Sequence, residues 1–226
     1  MKKTVSRSKW LALTAVLSAM ASVLYFLEMP VPLMPGFIQF DFSMLPIIIG
    51  NIALGPVSGI VITLVKDLIH LIIKGAGATG GVGDLADFFT CLCFILPSAL
   101  IYKKFPNFKG LITGLIAGCI SSAVLSGLIF NALVVYPVYT NLMPLEAIIG
   151  AYKQFRPSVN GLWEVLAIFN MPYTFLKCVV ISIIAVMIAK PLQSMLKIGA
   201  SAKKQPVQSV TAESDNDIEN DSDISK

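Results

Sequence analysis

The residues best suited to chemistry are polar groups set among apolar ones. Lys177 ends the segment NMPYTFLK, at the start of the last apolar run. Asn170 reads there as a helix N-cap or as a contact residue, and Pro172 suits a first helical turn. The spacing predicts Lys177 about two turns into a helix, about 8–10 Å from its end at 1.5 Å rise per residue. Thr174, three residues earlier, shares its face. An ammonium at that depth either snorkels outward or faces a ligand. Asn131 stands alone in IFNALVVYPVY, where an amide seeks a neighbouring helix, a backbone group or a ligand. Tyr136 and Pro137 mark where that run ends.

A glycine-rich turn, GAGATGGVGDLADF (residues 75–88), places Thr79, Gly80 and Gly81 ahead of Asp84 and Asp87. Glycine lets a ligand approach the backbone, and the N–H groups opening the next helix can meet its oxygens. No G-K-[ST] follows, so the turn is not a nucleotide-hydrolysing loop. KDLIH sets Lys66 and Asp67 within one turn of His70. An ion pair with Asp84 or Asp87 is the simpler reading, and a proton relay the alternative. His70 is the only histidine, which excludes the metalloprotease pattern, and no serine–histidine motif stands out. Cys91 and Cys93 are two apart and diverge on a helix. We expect no disulfide, metal, cofactor or enzymatic activity.

The elements that must hold these residues follow from composition. Of 226 residues, 56% are hydrophobic and 13% charged, against about 25% charged in soluble domains. So few charges cannot coat a soluble surface of this size, and the chain must face lipid. Apolar runs at about 9–27, 42–54, 57–73, 82–102, 110–137 and 171–196 predict an all-α polytopic membrane protein of six helices, the second one short. The first run is read as a retained helix rather than a cleaved signal. Ala12, Ala15, Ala19 and Ser22 give it a small-residue face, suited to packing in the bundle or to docking a partner. Loop 138–170 predicts two helical pieces, about 143–155 and 160–169, with Trp163 at an interface.

With the N-terminus inside, twelve of the seventeen Lys and Arg residues fall on the cytoplasmic side, while Lys74, Lys153 and Arg156 fall outside. Both termini are therefore expected in the cytoplasm. Residues 1–9 form a basic N-terminus and 10–196 the membrane domain. Residues 197–226 form an acidic tail expected to be disordered. The net charge of +4 reports topology and does not point to nucleic acid.

FDFSMLPIIIGNIALGPVSGIVITLVKDLIHL, TGGVGDLADFFTCLCFILPSALIY, NALVVYPVY and NMPYTFLK together resemble the riboflavin-specific S components of energy-coupling factor (ECF) transporters, over about residues 10–190. The resemblance implies a six-helix bundle of the bacterial cell membrane that binds one vitamin from the outer face. It implies partners as well: a transmembrane coupling subunit, docked on Ala15 and Ala19, and two ABC-type ATPases. Riboflavin would lie between the first loop, the fourth helix with its preceding turn, and the last two helices. Asn131, Thr174 and Lys177 would contact the ring, and Phe40 would cover its face. Thr79, Gly80, Gly81 and Asp84 would take the ribityl hydroxyls, with Tyr136 and Asn170 close by. The family pattern P-F-N-x-x-K reads Pro172-Tyr173-Thr174-Phe175-Leu176-Lys177 here, so a hydroxyl replaces an amide at 174. An S component for another vitamin and a proton-coupled transporter using Asp67, Asp84 or His70 are the alternatives.

Overall fold

A computed structural model describes residues 6–36, 38–75, 81–141 and 143–201, with side chains as far as Ile188. Helix α1 (Arg7–Phe26) leads into a two-stranded antiparallel ribbon, β1 (Met29–Pro30) and β2 (Gln39–Phe40), paired Met29 to Phe40 and Pro30 to Gln39. Next come α2 (Met44–Leu54), α3 (Pro56–Lys74) and α4 (Val82–Lys104). Helix α5 runs over Phe108–Tyr139, followed by the short α6 (Leu145–Lys153). Helix α7 begins at Leu162 and continues to Ser201. Among the described residues, α1, α3, α4, α5 and the Leu162–Ile188 part of α7 are long and apolar enough to cross a bilayer, and α2 is a shorter apolar helix. Residues 202–226 of the expected acidic tail lie outside the described residues.

The helices hide small and polar groups and turn large apolar ones outward, as lipid requires. Thr14, Ser18, Ala21, Ser22 and Tyr25 form the buried stripe of α1, while Leu11, Val16, Met20 and Val23 are exposed. Inside, Thr14 Oγ1 meets Ser58 Oγ at 2.9 Å, and Asn51 Nδ2 donates to Ser98 Oγ at 3.0 Å. One apolar core, with Ile47, Ile62, Phe94, Leu115 and Ile181, is shared by α1 to α5 and α7. A second, with Val135, Ile148, Val159 and Leu166, lies beneath α6.

Helices α4 and α5 approach closely because α5 carries glycine every fourth residue. A Cβ on Gly114 would lie 2.7 Å from the Ser98 carbonyl oxygen, and one on Gly118 2.9 Å from that of Phe94.

Helices α5 and α7 are both π-wound in part, over Ser122–Val135 and Leu166–Asn170. Each wide section closes with an i−5 bond, Tyr136 N–H to Asn131 O and Met171 N–H to Leu166 O, immediately before a proline. Pro137 and Pro172 have no N–H to donate, and each ring crowds the carbonyl four residues back; a wide turn relieves both constraints. This overturns the reading of Asn170 as an N-cap. The last span starts nine residues earlier than the predicted 171, at Leu162, and the predicted 160–169 piece is its first part.

Candidate functional site

At the end of the bundle that carries the ribbon, α1, α3, α4, α5 and α7 enclose a cavity of about 560 Å³, within the usual range for small-molecule sites. Ile38, Gln39 and Asp41 of the ribbon segment close one side. The ribbon is fastened to α7 by matched spacing. Tyr173 Oη donates to the Gln39 carbonyl at 2.7 Å, and Lys177 Nζ to Asp41 Oδ2 at 2.7 Å. Four residues of helix rise about 6 Å and two of strand about 6.6 Å, so both contacts form without strain. Asp41 Oδ1 also accepts the Ser43 N–H at 2.8 Å, just ahead of α2.

Antiparallel α3 and α4 are joined by a charged ladder. Lys66 pairs with Asp87, and one turn on His70 Nδ1 lies 2.6 Å from Asp84 Oδ1. Lys66 is fully buried, 4.0 Å over the Tyr25 ring and 3.3 Å from Ser43 Oγ, to which it donates. Its ammonium is 2.9 Å from Asp67 Oδ1, but neither Asp67 oxygen has an aligned hydrogen bond. Asp87 sits between the two lysines, 3.7 Å from Lys177. The cluster sets three carboxylates, Asp41, Asp67 and Asp87, against the two ammonium groups of Lys66 and Lys177. Such burial is tolerable only with close pairing.

The structure brings Asp84, Asn131, Tyr136, Asn170, Thr174 and Lys177 to this single cavity. Asn131 donates to the Gly127 carbonyl at 3.2 Å, and Thr174 Oγ1 to the Asn170 carbonyl at 2.8 Å. Lys177 lies about 22 Å along α7 from Leu162 at 1.5 Å per residue, well beyond the predicted two turns. It does not snorkel; it reaches across to Asp41.

Phe40 departs from expectation. Strand side chains alternate, so Gln39 and Asp41 line the cavity while Phe40 packs edge-on against Phe42, centroids 5.0 Å apart. Gly81 caps α4 with φ +76° and a Cβ position 3.0 Å from Leu71; Gly83 lines the cavity instead. Thr79 and Gly80 lie outside the described residues. Ala12, Ala15 and Ala19 are exposed on α1, whereas Ser22 turns inward and donates to the Ser18 carbonyl at 2.9 Å. All four cysteines are free thiols.

Sequence reasoning passed over Asp41, Gln39, Tyr173 and Tyr152. For Asp41 a signal existed: an aspartate two residues before a serine at a helix start is a capping arrangement. For Tyr152 there was none, because its partners lie 16 and 18 residues away. Tyr152 Oη donates to Asn170 Oδ1 at 2.9 Å, Asn170 Nδ2 donates to Tyr136 Oη at 3.0 Å, and the two phenols are 2.6 Å apart.

Residues 9–189 match the family model described as ECF transporter, substrate-specific component. The chain is 32% identical to the riboflavin transporter RibU of Staphylococcus aureus (strain TCH60), over 87% of this chain and 96% of that protein. It is 31% identical to the riboflavin transporter FmnP of Bacillus subtilis (strain 168), over 78% and 87% respectively. Among solved structures it is similar to one described as the S component of a bacterial ECF transporter, with TM-score 0.67 and 29% identity, covering 85% of this chain and 99% of that one. These relatives are transporters, not enzymes.

Proposed function

This chain belongs to the substrate-specific component family of ECF transporters, and we propose that it is the riboflavin-binding subunit of a vitamin uptake system. The observation that carries the reading is the cavity, where Asn131, Thr174 and Lys177 share one space with apolar and aromatic groups such as Ile38, Val135 and Tyr136. An isoalloxazine ring needs an apolar slot with a few placed polar groups. Lys177 keeps Asp41 and still has ammonium hydrogens for a ring carbonyl. Thr174 has spent its proton on the Asn170 carbonyl, so it offers the ring imide N–H an acceptor. Asp84 and Gly83 stand where ribityl hydroxyls would reach.

The chain carries no nucleotide-hydrolysing motif. Its working partners are a transmembrane coupling subunit and two ABC-type ATPases, with Ala15 and Ala19 as the docking face. The Lys/Arg distribution supports both termini in the cytoplasm of a bacterial cell and the cavity toward the outer face. The 10–196 segment is the binding domain, flanked by the basic 1–9 segment and the acidic 197–226 tail.

The test is direct. Protein purified from riboflavin-fed cells should keep a yellow, fluorescent flavin that dialysis removes slowly. Colourless protein that ignores added riboflavin but retains another vitamin would make it an S component of different specificity. Uptake by this chain alone in liposomes under a pH gradient would favour a proton-coupled carrier.

A further inference from the structure

Tyr152 touches no part of the cavity, yet it holds two residues that do. It lies on α6 and is fully buried, while Tyr136 on α5 and Asn170 on α7 line the cavity. The three side chains close a ring of hydrogen bonds. Tyr152 gives its only proton to Asn170, and Asn170 gives one to Tyr136. The short phenol–phenol contact must then run from Tyr136 to Tyr152. Within the ring each member donates to one neighbour and accepts from the other, and the ring ties together three separate helices.

The ring also decides what Asn170 can offer a ligand. Its carbonyl oxygen and one amide hydrogen are committed to the phenols, so the paired donor–acceptor edge of the amide faces the ring and not the cavity. Asn170 thus acts as a strut for Tyr136. Burial pushes the Tyr152 phenol above its ordinary range, which keeps it a donor at any physiological pH. The rest of the seat of α6 is apolar, supplied by Ile148 packed with Val159 and Val165. Apolar packing sets no angular register, whereas the hydrogen-bond ring does.

We propose that Tyr152 is a positioning residue for the ligand site, fixing Tyr136 and Asn170 through the hydrogen-bond ring so that the ring, rather than the apolar seat of α6, controls how long the ligand stays bound. The inference rests on the riboflavin reading above.

The experiment measures riboflavin association and dissociation rates on the full-length protein in detergent, for the unmodified chain, Tyr152→Phe and Ile148→Ala. Tyr152→Phe removes only the hydroxyl, and should speed dissociation about tenfold, on the scale of the hydrogen bonds lost, with association little changed. Ile148→Ala loosens α6 without touching the ring, and should lower the melting temperature with a smaller effect on release. The double variant Tyr136→Phe/Tyr152→Phe should release no faster than the worse single variant, because both break one ring. Dissociation unchanged in Tyr152→Phe overturns the inference, as does equal acceleration by Ile148→Ala at matched loss of stability. If Tyr152→Phe fails to fold, Tyr136→Phe must speed release on its own, and unchanged release overturns the proposal. No flavin binding by the unmodified chain removes the riboflavin reading and this inference together, an outcome distinct from the others.

Discussion

Lys177 and Asp41 form a close pair, but removing one is not equivalent to removing the other. Asp41→Asn leaves the ammonium with Asp87 still 3.7 Å away and reduces a cluster in which carboxylates outnumber lysines. Lys177→Met leaves the buried carboxylate of Asp41 with only the Ser43 N–H and increases the excess of negative charge. An uncompensated buried charge costs about 3–5 kcal/mol, so Lys177→Met should lower the melting temperature in detergent far more than Asp41→Asn. Equal losses would mean that Asp87 gives Lys177 no support. On the proposed reading the hydroxyl at 174 would accept from the ligand, so the isosteric Thr174→Val should weaken riboflavin binding by about 1 kcal/mol, read by titration of flavin fluorescence. A polar group in an apolar run can be seen in the sequence, and so Lys177 and Asn131 could be. The partner of Lys177 could not: Asp41 is 136 residues away, and nothing in the residues around Lys177 announces that meeting.

At the level of elements, hydrophobic length predicted the helices well, because a membrane span must be apolar for its whole length. The exceptions lie at prolines. Pro172 looks like a helix start, but a π-turn carries α7 through it, which is why Asn170 faces inward instead of capping. The ribbon was missed because its strands are two residues each, too short for alternation to register. The glycines of α5 were legible in principle, at 110, 114 and 118. Their consequence is the tight α4–α5 crossing, where backbone leaves a side chain no room. Gly114→Val would drive a side chain into the Ser98 carbonyl, and overpacking of this kind costs about 1–3 kcal/mol or more. The variant should melt well below the unmodified protein, whereas Gly150→Val, where an added Cβ meets nothing within 4 Å, should lose much less. Similar melting of the two would show that α4 and α5 separate freely.

For the whole molecule, the question is how a binding bundle without its own ATPase moves its ligand. Helix α1 has two distinct faces. Thr14 and Ser18 hydrogen-bond inward to Ser58 and to the helix itself, while Ala15 and Ala19, one residue on, are exposed. In lipid, apolar side chains gain little from meeting one another, so association depends on close packing of small residues. An exposed alanine stripe beside a polar seam that already satisfies itself is therefore fitted to receive another helix. Ala15→Trp and Ala19→Trp add bulk only on that outer side and leave the cavity untouched. Each should bind riboflavin as the unmodified chain does, yet fail to restore uptake in cells that supply the coupling subunit and ATPases. Loss of binding would place the alanines inside the bundle's own packing. Full uptake would move the docking face to another helix. Only normal capture with lost transport fits a protein whose cavity and power source belong to different chains.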